Sequence, residues 1–131
     1  MKRVFLDTNV LFSAAWREAP GLLRLWSLTG VELVTSIYAA REAEINLPDA
    51  ARRRRLQQLL HRVTILPHPA APPPLPSGVH LPAKDVPILQ AALCAQAAVL
   101  LTGDVTHFGP YFGKNLGGVL VLPPAKFLAT G

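Results

Sequence analysis

The sequence predicts an α/β fold, a three-layer sandwich in which a central parallel sheet of about five strands lies between helices. Short apolar runs recur along the chain, too short for buried helices and bounded by polar residues, and they read as strands covered on both faces. Helix-compatible stretches separate them, and such alternation builds parallel sheets through right-handed crossovers. With 131 residues, 50% of them hydrophobic, the chain is sized for one domain, residues 1–131, with a substantial core.

Taken in order, Val4-Phe5-Leu6 is the first strand, and Asp7 stands where it ends. Val10 to Trp16 is helix-compatible, with Thr8 or Asn9 as its N-cap, and Ala19-Pro20-Gly21 breaks it. Leu22, Leu23, Leu25, Trp26 and Leu28 suggest a second short helix, with Gly30 past its end. Val31 to Thr35 is the second strand. Ser36 can cap a helix over Ile37 to Asn46 with Glu42 in its second turn, and Asp49 can cap the next. That helix carries Leu56, Leu59, Leu60 and Val63 at the spacing of one buried stripe. Arg52 to Arg55 precede the stripe and read as a solvated face or a protein contact, since cations near a helix N-terminus oppose its dipole.

Val63 to Leu66 is the third strand. Between Pro67 and Pro82 seven prolines exclude regular structure and leave an extended loop or arm. Asp85 is placed as the N-cap of a helix over Val86 to Ala97, with Pro87 tolerated in its first turn. Val99-Leu100-Leu101 is the fourth strand, turning at Thr102-Gly103-Asp104. A glycine-rich stretch, Gly109 to Gly118, leads to a fifth at Val119 to Leu122, and Pro124 starts a closing helix.

The net charge of +5 favours a polyanionic partner, although solubility alone accounts for such a value. One cysteine, Cys94, excludes an intrachain disulfide; it reads as packing in an Ala-rich helix, and no zinc-site spacing of Cys and His is present. Asp7 and Asn9 interrupt the opening apolar run before it reaches signal-peptide length, and no later run has the length of a membrane span. The expected setting is cytoplasmic. No P-loop or dinucleotide fingerprint occurs.

In parallel α/β units helix N-termini and strand C-termini share one edge, where ligands bind. Asp7 and Asp104 end strands, while Glu42 and Asp85 lie near helix starts, so all four are expected on that edge. A lone Asp7 would be read as a helix cap. Glu44 is the rival of Glu42, but two residues turn a helix by about 200°, so only one can face the site. Glu18, Glu32, Glu44 and Asp49 read as solvated or capping. Four converging carboxylates repel one another unless a cation joins them, and oxygen ligands select Mg²⁺ or Mn²⁺. Such ions activate water and stabilise a leaving oxygen, which points to phosphodiester hydrolysis.

These residues resemble the PIN-domain family: a strand followed by Asp7-Thr8-Asn9-Val10, Ser36 with Glu42 six residues on, Asp85-Val-Pro-Ile-Leu before an Ala-rich helix, and Leu101-Thr102-Gly103-Asp104. The ending Val121-Leu122-Pro123-Pro124-Ala125-Lys126-Phe127-Leu128 is similar to that family's closing strand and helix. The resemblance implies a Mg²⁺-dependent ribonuclease, commonly the VapC-type toxin of a toxin–antitoxin pair. Asp7, Glu42, Asp85 and Asp104 match its acidic positions, and Asn9 and Thr102 its supporting polar positions. Thr106 stands where many members carry a further acid. Lys84, Arg41 and Lys114 are the cations expected to meet RNA, and His107, close enough to contact phosphate, reads more readily as an incidental surface residue. An apolar region from Val10 to Leu28 makes a homodimer plausible.

Two other readings remain open here. The Asp7-Thr8-Asn9-Val10 motif also resembles haloacid-dehalogenase-type phosphatases, with Asp7 as nucleophile and with Ser36, Lys84 and Gly103-Asp104 matched to later motifs. That reading needs a second acid where Asn9 stands. The other is a non-enzymatic binding module using the Pro-rich arm.

Overall fold

A computed structural model describes residues 1–17 and 20–130; Glu18, Ala19 and Gly131 lie outside the described residues. Six strands form one sheet: β1 (Lys2–Leu6), β2 (Val31–Ser36), β3 (Thr64–Leu66), β4 (Val99–Leu101), β5 (Asn115–Leu116) and β6 (Val119–Leu122), in the order β3-β2-β1-β4-β6-β5. All pairings are parallel except β5 with β6. The helices are α1 (Thr8–Trp16), α2 (Pro20–Leu23), α3 (Ile37–Asn46), α4 (Ala50–Leu60), α5 (Val86–Cys94) and α6 (Pro124–Thr130), with 3₁₀ turns at Arg24–Ser27 and Gly109–Tyr111.

The chain walks outward from β1 to β2 to β3, then returns past β1 to β4. Because such crossovers are right-handed, this reversal puts α1 to α4 on one face and α5 on the other. The central strands are covered on both sides: Val4, Phe5, Leu6, Leu100 and Leu101 are fully buried. Thr35, buried beside them, donates its hydroxyl to the carbonyl of Leu6 at 2.8 Å, so its polar atom is satisfied inside the core.

Several expectations need correction. The sheet has a sixth strand, because Gly117 and Gly118, at φ +61° and +101°, form the two-residue turn of a hairpin that joins β5 to β6. Two residues of strand are too few to give a periodic signal. α1 begins at Thr8 and its N-cap is Asp7, whose carboxylate accepts from the Thr8 amide at 2.6 Å. The second helix ends at Leu23 and tightens into the 3₁₀ turn over Arg24–Ser27. α4 ends at Leu60, so Val63 completes the buried stripe from beyond the helix. Cys94 is exposed rather than packed.

Asp85 does not cap α5 with its side chain. The amides of Asp85 and Val86 both bond to Pro82 O, so the backbone at Asp85 is already helical and its carboxylate is left for another task. α5 also stops earlier than expected, at Cys94. Gln96 takes a left-handed conformation with φ +53° while the Ala97 amide reaches back to Ala92 O at 3.0 Å, a helix stop that normally employs glycine. Gln96 is exposed, and Gln96→Gly is expected to raise the free energy of unfolding by about 1 kcal/mol in a urea titration. An unchanged or lower midpoint would show that Gln96 makes a compensating contact.

The arginine run is neither merely solvated nor near the sheet edge that carries the acids. Arg52 Nε donates to Trp16 O at 2.9 Å, its guanidinium lies 4.0 Å over the Trp16 ring, and Arg55 Nη1 donates to Ala15 O at 3.3 Å. Those are the last carbonyls of α1, the negative end of its dipole. Arg53 Nε donates to Leu47 O at 3.1 Å. Three of the four arginines therefore tie α4 to the ends of α1 and α3, while Arg54 is exposed. The Pro-rich arm has no regular structure, yet it is held down: Val79 is buried, Gln90 Nε2 donates to Pro73 O at 3.0 Å, and the His80 amide donates to the Tyr111 hydroxyl at 2.8 Å.

Candidate active site

The order of the sheet reverses between β1 and β4, and in open parallel sheets the carboxyl ends of strands at such a reversal open into a crevice. Leu6 and Leu101 are register partners there, so Asp7 and Asp104 leave the sheet from adjacent strands. A cavity of about 340 Å³ lies at this point, lined among others by Asp7, Glu42, Lys84, Asp85 and Asp104. Its remaining wall is made of helix stripes: Tyr38, Glu42 and Asn46 of α3, Thr8 and Phe12 of α1, and Ile88 of α5. Glu42 faces the cavity, whereas Glu44 is exposed elsewhere.

Asp7 is 3% exposed and both of its carboxylate oxygens accept hydrogen bonds. Beyond the Thr8 amide it accepts from Thr102 Oγ1 at 2.8 Å and Asn9 Nδ2 at 3.1 Å. Asn9 and Thr102 also join the two strand ends. The Gly103 amide donates to Asn9 Oδ1 at 2.7 Å and the Asp104 amide to Thr102 Oγ1 at 3.1 Å. A Cβ on Gly103 would sit 3.3 Å from Asn9 Oδ1, so a side chain there would press on the amide that joins the strand ends.

The carboxylates differ in electrostatics. Burial pushes Asp7 up to about 6, against the pull of Thr102 and Thr8 and with the added repulsion of Asp85 and Asp104. Asp85 is also raised, by burial first and then by Asp104, while Lys84 and His107 oppose the rise. For Asp104 burial works in the same direction but is outweighed, because the backbone and ring of His107 and the charge of Lys84 hold it below the usual range.

His107, read from sequence as incidental, belongs to the cluster. Its Nδ1 lies 2.8 Å from Asp104 Oδ2 and 3.2 Å from Asp85 Oδ2, and its amide donates to Asp104 Oδ1 at 3.0 Å. The signal was the three-residue spacing from Asp104 in a tight turn. Tyr38 was also missed; its hydroxyl donates to Lys84 O at 2.8 Å, and it lies one helical turn before Glu42. Arg41, Thr106 and Lys114 are exposed and outside the lining. Arg41 is turned away because one residue is about 100° of helix.

The donor set suits a hard divalent cation. Asp85 Oδ2 is buried without a hydrogen-bond partner, a costly state for a carboxylate oxygen unless a cation meets it. Asp85, Asp104 and His107 offer ligand atoms within 4.8 Å of one another, and Asp7 and Glu42 add oxygens to the same cavity. Asp7, Asp85, Asp104 and Glu42 are the carboxylates that would surround such an ion, which polarises a phosphoryl oxygen and activates water when bound.

The mostly parallel sheet with helices on its faces is the PIN-like α/β fold expected from the sequence. Three solved structures contain chains with this fold. A chain of VapBC2 from Rickettsia felis, bound to a DNA fragment from their promoter, superposes with TM-score 0.71 at 14% identity, over 92% of this chain and 98% of that one. For VapBC-1 from nontypeable Haemophilus influenzae the values are 0.63 and 19%, over 93% and 98%. For FitAcB from Neisseria gonorrhoeae they are 0.60 and 23%, over 92% and 97%. No family model and no curated protein matches the sequence.

Proposed function

We propose that this chain is a VapC-type PIN-domain ribonuclease that hydrolyses RNA phosphodiester bonds with Mg²⁺ or Mn²⁺ and acts as the toxin of a toxin–antitoxin pair. The observation that carries the reading is the gathering of Asp7, Glu42, Asp85 and Asp104 around one cavity at the sheet's reversal point. Asn9 and Thr102 hold the Asp7 carboxylate, and the amide and ring of His107 hold that of Asp104, so their oxygens are positioned before substrate arrives. Glu42 and Asp85 approach from helices on either side. A divalent cation held by these carboxylates would supply charge for the attacking and leaving oxygens. Supporting an antitoxin partner, the chains of like fold come from complexes named VapBC and FitAB. We place the protein in the cytoplasm as a homodimer; among the described residues no helix is long and apolar enough to cross a membrane. The phosphatase reading fits less well, because Asn9 gives its amide hydrogens to Asp7 and Thr102 and has no proton for a leaving group.

The test is incubation with pools of single-stranded and structured RNA in Mg²⁺, Mn²⁺ or chelator. Cation-dependent cleavage supports the reading, and phosphate release from small monoesters in its place would favour the phosphatase. Lys84, exposed at the cavity rim, is the cation best placed to meet RNA. In a cleavage-dead background Lys84→Ala is expected to lower the slope of log affinity against log salt by about 0.7, the value for one phosphate contact on single-stranded nucleic acid. Arg54→Ala should leave the slope unchanged, and the reverse result would move the RNA path to α4.

A further inference from the structure

The described residues place a histidine ring nitrogen among the carboxylates of the candidate site, and its spacing matches a coordination shell. Ligand atoms about 2.1 Å from an octahedral ion lie about 3.0 Å from their neighbours. Nδ1 of His107 is 2.8 Å from Asp104 Oδ2 and 3.2 Å from Asp85 Oδ2, and the three ligand atoms lie within 4.8 Å of one another, so one ion can reach all three. Two features fix them there. The His107 amide is bonded to the other oxygen of Asp104 at 3.0 Å, which sets the ring beside that carboxylate. Asp85 Oδ2 is buried without a hydrogen-bond partner and has Nδ1 as a polar neighbour at 3.2 Å, which leaves it free to meet a cation.

We propose that His107 Nδ1 is itself a ligand of the divalent cation, and that the site thereby favours Mn²⁺ over Mg²⁺. Imidazole nitrogen suits transition metals, whereas Mg²⁺ holds water and carboxylate oxygen in preference. Binding requires that Nδ1 give up to solvent the hydrogen it shares with Asp104 in the metal-free protein, leaving the ring proton on Nε2. The proposal rests on the metal-dependent reading of the cavity, but its test needs no RNA.

The metal-free full chain is titrated with Mn²⁺ alone and with Mg²⁺ alone by calorimetry, and the Mn²⁺ complex is examined by electron spin-echo envelope modulation. Expected are a ¹⁴N modulation from a directly bound nitrogen in the wild type, its loss in His107→Asn, and a fall in Mn²⁺ affinity of roughly 10-fold or more with a smaller fall for Mg²⁺. A wild-type spectrum without ¹⁴N modulation overturns the proposal, whether or not the variant folds. Equal or tighter Mn²⁺ binding by His107→Asn also overturns it, since the imidazole would then be a counter-cation that the metal must displace. Nitrogen ligation without any RNA cleavage would leave this proposal standing and sink the ribonuclease reading alone.

Discussion

Asp104→Asn and Asp7→Asn should each reduce cation-dependent RNA cleavage by roughly 10²–10³-fold, the loss that several kcal/mol of charge stabilisation implies. Both side chains keep their shape as Asn, and both sit in local hydrogen-bond frames that a neutral amide partly preserves, so circular dichroism should remain native. Glu44→Gln is the control: it lies on the same helix as Glu42 but is exposed away from the cavity, and its activity should match the wild type. Full activity in highly purified Asp104→Asn protein would place the chemistry elsewhere, and loss in Glu44→Gln would show the α3 register to be misread.

Asp7→Asn should also change stability, in a direction opposite to its effect on activity. In the folded protein Asp7 is pushed up to about 6 from an ordinary 3.8, so the native state binds its proton more readily than the unfolded chain does. Stability from this group is therefore greatest below 3.8 and is lost as pH rises through 6. Asn cannot ionise and escapes that loss. Measured by urea unfolding in chelator, the variant should gain on the order of 1–2 kcal/mol relative to wild type between about pH 5 and 8. Asp104, held low by His107 and Lys84, trends the other way and cancels in the difference. Saturating divalent cation should restore the wild type at pH 8 and do less for the variant. A wild-type-minus-variant difference that does not move with pH would mean that Asp7 is already neutral, or already compensated, in the free protein.

Both predictions concern residues that were legible in the sequence, and the reason is topological. Asp7 and Asp104 end apolar runs, Glu42 and Asp85 lie near helix starts, and parallel units bring strand ends and helix starts to one edge whatever the distance in sequence. The order of the strands was not legible, because short buried runs of Val and Leu carry no mark of their partners. His107 escaped for a related reason. Its role depends on how the turn after Asp104 closes, and a loop histidine carries no periodicity. The arginine run misled differently: Arg52, Arg53 and Arg55 answer carbonyls in other segments, and such contacts leave no trace in local spacing. Two-residue β5 was hidden by its length, although Gly117-Gly118 was a turn signal in plain view.

The pairing of β1 with β4, which aligns Val4 with Val99, also governs when this molecule can act. Contacts so distant in sequence close slowly and only after most of the chain is available. During synthesis the first strand and Asp7 emerge early and must wait for β4 and the turn carrying Asp104 before the crevice has two sides. A chain still growing on the ribosome thus lacks the second wall of the crevice until synthesis has passed Asp104, and a truncated product ending before β4 would carry the opening motif without the means to use it.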